Sequence, residues 1–90
     1  MITVYGDSME PTLAPGTRVM VDTEDRIPSP PGIFVVYDGL GLVVKRVEHR
    51  PQSSPPAVRL ISDNPRYDSY ECPLEEARIQ GRVIGRWQWT

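Results

Sequence analysis

Ninety residues carry ten basic side chains against twelve acidic ones, a formal net charge of −2, with ten prolines and seven glycines. That length admits one domain, residues 1–90, and no second core. The near-balanced charge argues against nucleic-acid binding by the chain alone, since such binding draws on clustered Lys and Arg that neutralise phosphates.

Ile2-Thr3-Val4-Tyr5 alternates like a strand and stops at Gly6. Asp7 to Leu13 predicts a turn with at most one helical turn, closed by Pro15-Gly16. Thr17 to Asp22 alternates again, with Val19 and Val21 on one face. Thr23 to Gly32 is a loop, first acidic and then proline-rich. Ile33-Phe34-Val35-Val36-Tyr37 has the β-branched and aromatic character of a buried strand, and Asp38-Gly39 is a hairpin signal leading to a returning strand over Leu40 to Glu48. Pro51 to Pro56 is a loop, Ala57 to Ile61 a strand, and Asp63 to Pro73 a long irregular segment. Ile79 to Trp89 closes the chain as a last strand, with Gly81 and Gly85 at bulge or close-approach positions. The pattern predicts a mostly-β domain of short hairpins in a partly closed sheet.

Cys72 is the only cysteine, which excludes an internal disulfide and a thiolate metal site; no metal or cofactor is expected. The lone thiol suits a reducing, cytoplasmic compartment. Ile27 to Tyr37, the longest uncharged stretch, has 11 residues and three prolines, too short to span a bilayer, and no membrane association is expected. His49, the only histidine, lies at the charged end of a strand beside Arg50 and Pro51, a poor place for a triad base.

Nine of the ten basic residues are arginine, and Lys45 is the only lysine. Alternation puts it on one face with Val43 and Val47, and Arg46 on the other with Leu42 and Val44. An amine among valines has its charged form disfavoured, and a neutral amine near pH 7 can accept a proton. The competing reading is a lysine that snorkels from a strand edge. Ser8, in Gly6-Asp7-Ser8-Met9-Glu10-Pro11, places a hydroxyl on a tight turn where backbone N–H groups could hold an oxyanion. Its competing reading is a cap on the following turn. Glu10 stands where a Gly-x-Ser-x-Gly elbow needs its second glycine. Ser8 and Lys45 are 37 positions apart, so only the fold could bring them together.

Gly6 to Gly16 resembles the nucleophile motif of the LexA-type repressor and signal-peptidase superfamily, and Val43-Val44-Lys45-Arg46-Val47 its general-base motif. Ile61-Ser62-Asp63-Asn64-Pro65-Arg66-Tyr67 and Ile79 to Arg86 resemble later signatures of phage-repressor-like members. The resemblance implies a serine–lysine peptidase with Ser8 as nucleophile and Lys45 as general base. Backbone amides at Ser8 and Met9 would form the oxyanion hole, with Asp63 and Asn64 in a structural role. It also implies a homodimer with the C-terminal strand in the interface, where Trp87 and Trp89 would fit. In the repressor branch the substrate is the protein's own linker, a RecA filament is the activator, and DNA is bound through an N-terminal helix-turn-helix domain. That domain and the linker are expected upstream of Met1. The alternatives are a catalytically silent dimerisation module of a transcriptional regulator and a signal-peptidase-like processing protease.

Overall fold

The computed structural model describes residues 1–50, 52 and 54–87. Among them the chain forms seven strands: β1 (Ile2–Thr3), β2 (Arg18–Asp22), β3 (Gly32–Tyr37), β4 (Leu42–Arg50), β5 (Ala57–Ile61), β6 (Tyr70–Pro73) and β7 (Arg78–Trp87). All pair antiparallel in one sheet of order β1-β2-β7-β3-β4-β5-β6, which does not close on itself. The last strand inserts between β2 and β3, joining the N-terminal pair to the β3–β6 meander.

The continuous apolar run of β3 reflects burial on both faces. Val35 packs with Val4, Met9, Leu13, Val19 and Val44 on one side. Phe34 and Val36 pack with Val47, Val58, Leu60 and Ile79 on the other. A strand covered on one side only would show alternation, as β2 does with Val19 buried between exposed Arg18 and Met20.

The hairpin between β3 and β4 forms at the Asp38-Gly39 signal. The Asp38 carboxylate accepts the N–H groups of Leu40 and Gly41, each at 2.8 Å, and Gly39 takes a φ of 96° that disfavours any side chain. Two glycines of β7 lie where the ladder is irregular. Register shifts occur between Met20 and Val21 opposite Gly85, and between Val35 and Val36 beside Gly81. A Cβ on Gly81 would stand 2.6 Å from both the Asp22 carbonyl oxygen and Val21 Cγ1, so close strand approach requires glycine there. Arg82 holds the proline-rich loop over the second core. It pairs with Asp25 at 2.7 Å, donates to the Ile27 and Pro30 carbonyls, and lies 4.4 Å above the Phe34 ring.

The segment from Asp63 to Pro73 is less irregular than its sequence suggests, because Tyr70–Pro73 adds a strand to the open edge of β5. The only helical turn among the described residues is a 3-10 turn over Leu74–Glu76; the segment after Ser8 consists of tight turns. Trp89, the expected end of the last strand, lies outside the described residues.

Candidate active site

Two apolar residues fix the turn that carries Ser8. Met9 and Leu13 sink into the first core, 1% and 3% exposed, and the Leu13 N–H closes back on the Met9 carbonyl at 2.8 Å. Gly6, at φ 77°, supplies the left-handed bend that leads into it. Ser8 sits half-buried at the head of this turn. A capping serine would accept the N–H two or three residues ahead. Here the Glu10 N–H goes to the Asp7 carbonyl instead, at 3.1 Å. Among the described residues no hydrogen bond engages the Ser8 hydroxyl, so the capping alternative is not what the turn uses.

Lys45 stands opposite Phe34 in the β3–β4 register and shares its face with Val43 and Val47, as alternation predicts. Its Nζ donates to Ser62 Oγ at 2.7 Å. Burial pulls the amine's pKa below its ordinary value, and the charge of Asp38 opposes that shift only in part. The amine is thus anchored and partly desolvated, unlike a snorkelling surface lysine. Among the described residues no hydrogen bond joins it directly to Ser8.

One short segment touches both candidates. Ser62, Asp63 and Asn64 follow the end of β5, and each makes a different tie. Ser62 holds the Lys45 amine. Asp63 accepts two bonds from Arg46, at 2.9 and 2.8 Å, and a third from the Thr12 hydroxyl at 2.6 Å, so it connects β4 to the far end of the nucleophile turn. The Arg46 guanidinium holds the Asp63 carboxyl below the usual carboxylate range, with Thr12 adding to the effect. Asn64 donates its backbone N–H to the Ser8 carbonyl at 3.0 Å and its side-chain N–H to the Asp7 carbonyl at 2.9 Å. Tyr67 completes the clamp by donating its hydroxyl to the Asp7 carboxylate, a bond that raises the phenol's pKa. Ser8 and Lys45 therefore belong to one network although they are 37 positions apart, one on the turn between β1 and β2 and the other on β4.

Beside Ser8 lies a small cleft of about 80 Å³, lined by Ile2, Val4, Val35, Val43 and Val44 among others. β1 and the first half of β4 are far apart in strand order, yet both line it, so the sheet curls around this point. The β4 residues before Arg46 pair with β3 but not with β5, which leaves one edge of that stretch open along the cleft.

The Peptidase S24-like family profile matches residues 1–84, a span that contains every residue of this network. The chain belongs to that family. This S24-like domain is also 36% identical over 89 residues to the 26 kDa repressor protein of Escherichia phage HK022. The match covers 96% of the chain and 36% of that repressor, so the chain spans about a third of the relative's length.

Sequence reasoning located the turn, the lysine and the Asp63-Asn64 box, but not Ser62, Thr12 or Tyr67 as their partners. Serine, threonine and tyrosine in polar segments carry no signal of their own, and only the approach of the 62–67 segment to the Ser8 turn gives them roles. His49 pairs with Val58 beyond Lys45 on β4 and takes no part in the network. Burial pushes the Cys72 thiol's pKa up, away from the reactive thiolate. Among the described residues no group of His, Cys, Asp and Glu could hold a metal ion, and no helix is long and apolar enough to cross a membrane.

Proposed function

We propose that this S24-like domain is the self-cleaving, dimer-forming part of a phage-repressor-like transcriptional regulator. The observation that carries the reading is the Ser62–Asn64 segment, which holds a desolvated lysine amine at one end and the backbone of a serine turn at the other. In this reading Ser8 Oγ bonds to the scissile carbonyl carbon while its proton passes to neutral Lys45 Nζ. The carbonyl π pair moves onto oxygen, stabilised by the Ser8 and Met9 amides. Lys45 then delivers the proton to the leaving nitrogen as the C–N bond breaks, and water hydrolyses the acyl-serine ester.

The substrate is an extended segment of the protein's own linker, laid along the open edge of β4 as an added strand. The small, valine-lined cleft favours a small apolar side chain next to the scissile bond. Dimerisation draws support from the outer face of β2 and β7. The register puts Met20 and Trp87 on one face of this pair, both about half exposed, with exposed Ile84 at the adjoining irregularity. DNA binding belongs to a further domain in this reading, and a nucleoprotein filament of the RecA type acts as the trigger for cleavage.

A second reading, a dimerisation module that no longer cleaves, is favoured by one observation: the Lys45 amine is engaged by Ser62 and not by Ser8. Incubation of the gene's full-length product at alkaline pH separates the two, with Ser8→Ala and Lys45→Ala as controls. Cleavage in wild type alone supports the peptidase. A wild type that stays intact as long as both variants supports the silent module.

A further inference from the structure

Asn64 is buried, and every polar atom of its side chain is committed. Oδ1 accepts the Arg66 N–H at 3.0 Å, and Nδ2 donates to the Asp7 carbonyl at 2.9 Å. These partners fix the orientation of the carboxamide, because an acceptor must face Arg66 and a donor must face Asp7. The backbone N–H of the same residue donates to the Ser8 carbonyl at 3.0 Å. One residue thus grips two consecutive carbonyl groups of the nucleophile turn.

Those carbonyls belong to particular peptide units. The Asp7 carbonyl shares its plane with the Ser8 N–H, and the Ser8 carbonyl shares its plane with the Met9 N–H. Both units are trans, so in each the N–H points opposite to the C=O. A donor that holds the carbonyl therefore aims the amide hydrogen away from Asn64. It also polarises the unit, since a hydrogen-bonded carbonyl makes the N–H across the same amide a stronger donor. Two other amides of the turn are engaged: the Glu10 N–H bonds the Asp7 carbonyl and the Leu13 N–H bonds the Met9 carbonyl. Among the described residues no hydrogen bond occupies the N–H of Ser8 or of Met9.

We propose that Asn64 is the positioning residue of the oxyanion hole, setting the direction and donor strength of the Ser8 and Met9 amides without touching the substrate. The inference rests on the peptidase reading of Ser8. It assigns the Asp63-Asn64 pair a divided labour. Asp63 ties the far end of the turn to β4 through Arg46 and Thr12, and Asn64 orients the two amides at its head.

The test uses the chain with an extended peptide substrate added in trans, and the same peptide ending in a boronic acid, whose oxygen takes the oxyanion's place once boron bonds Ser8. Deleting an oxyanion donor outright costs about 10²–10³ in kcat, and misdirecting one costs less, so Asn64→Ala lowers kcat by about 10–100-fold. KM stays within about twofold, and boronate affinity falls in parallel with kcat/KM, as expected for a loss confined to the transition state. A kcat equal to wild type, or a loss carried wholly by KM, overturns the proposal. Should Asn64→Ala fail to fold, Asn64→Asp keeps the acceptor for the Arg66 N–H, replaces the donor to the Asp7 carbonyl with a carboxylate oxygen, and is judged by the same two readouts. In isotope-labelled wild type, boronate binding moves the Ser8 and Met9 amide protons downfield; if neither moves, the proposal is overturned on the wild-type protein itself. A wild type that neither cleaves the peptide nor bonds the boronate points instead to failure of the peptidase reading.

Discussion

Replacing Asp63 by alanine removes the one carboxylate that joins the nucleophile turn to β4. Three bonds disappear together: two from the Arg46 guanidinium and one from the Thr12 hydroxyl. Breaking a buried charge pair costs about 3–5 kcal/mol. The Asp63 side chain is only 13% exposed, but that of Arg46 is 40% exposed and recovers solvent once its partner is gone. The loss is accordingly reduced to about 2–3 kcal/mol, in line with hydrogen bonds to a charged group. For a domain of this size each kcal/mol shifts Tm by about 4–8 °C, so Asp63→Ala melts about 8–24 °C below wild type. The effect depends on pH with a defined sign. The folded pKa of Asp63 is depressed, so its contribution is fully present above the unfolded value of about 3.9 and fades as pH falls through the folded value. Urea titrations of wild type and variant from pH 7 down to pH 2 measure this gap directly. A double-mutant cycle with Arg46→Met adds the pairwise coupling, expected at about 1–2 kcal/mol. A variant within about 0.5 kcal/mol of wild type at pH 7, the range of an ordinary surface change, refutes the clamp, as does a gap that persists unchanged into acid.

Ser62→Ala removes the acceptor of the Lys45 amine and leaves an apolar methyl in its place; peptide cleavage falls about tenfold, less than the roughly 10²–10⁴-fold a proton-transfer group itself contributes, with far-UV circular dichroism unchanged. Gly81→Ala pushes a Cβ against the Asp22 backbone and Val21, atoms that cannot swing aside, and costs about 1–3 kcal/mol by thermal denaturation. Gly85→Ala serves as its control, because the nearest atom to a Cβ there is 4.0 Å away, and its Tm stays close to wild type.

Local signals carried the strands well, and the pairing of those strands hardly at all. β3 was legible because the β-branched and aromatic run Ile33-Phe34-Val35-Val36-Tyr37 suits a strand buried on both faces, and the Asp38-Gly39 turn fixed its partner. The placement of β7 between β2 and β3 was not legible, since its alternation is compatible with any neighbour that offers an apolar face. Nor was β6, because Tyr70-Glu71-Cys72-Pro73 is short and largely polar, and becomes a strand only by completing the edge of β5. At the site, Lys45 stood out as a cation between two valines and Ser8 as a hydroxyl on a glycine-led turn. Their meeting point did not stand out. Ser62, Asp63 and Asn64 carry ordinary polar side chains whose roles come from where the chain leaves β5, a tertiary fact.

The chain's single lysine makes the central claim directly measurable. Selective isotope labelling gives one side-chain signal, and its titration by NMR in wild type and in Ser8→Ala reports the state of the Lys45 amine. Burial of the amine predicts a pKa below the ordinary value of 10.5, and a general base paired with Ser8 predicts a change in that value when the hydroxyl is removed. A pKa near 10.5 that is indifferent to Ser8→Ala contradicts it, because such an amine would be solvated, charged near neutral pH, and unable to take the proton from Ser8.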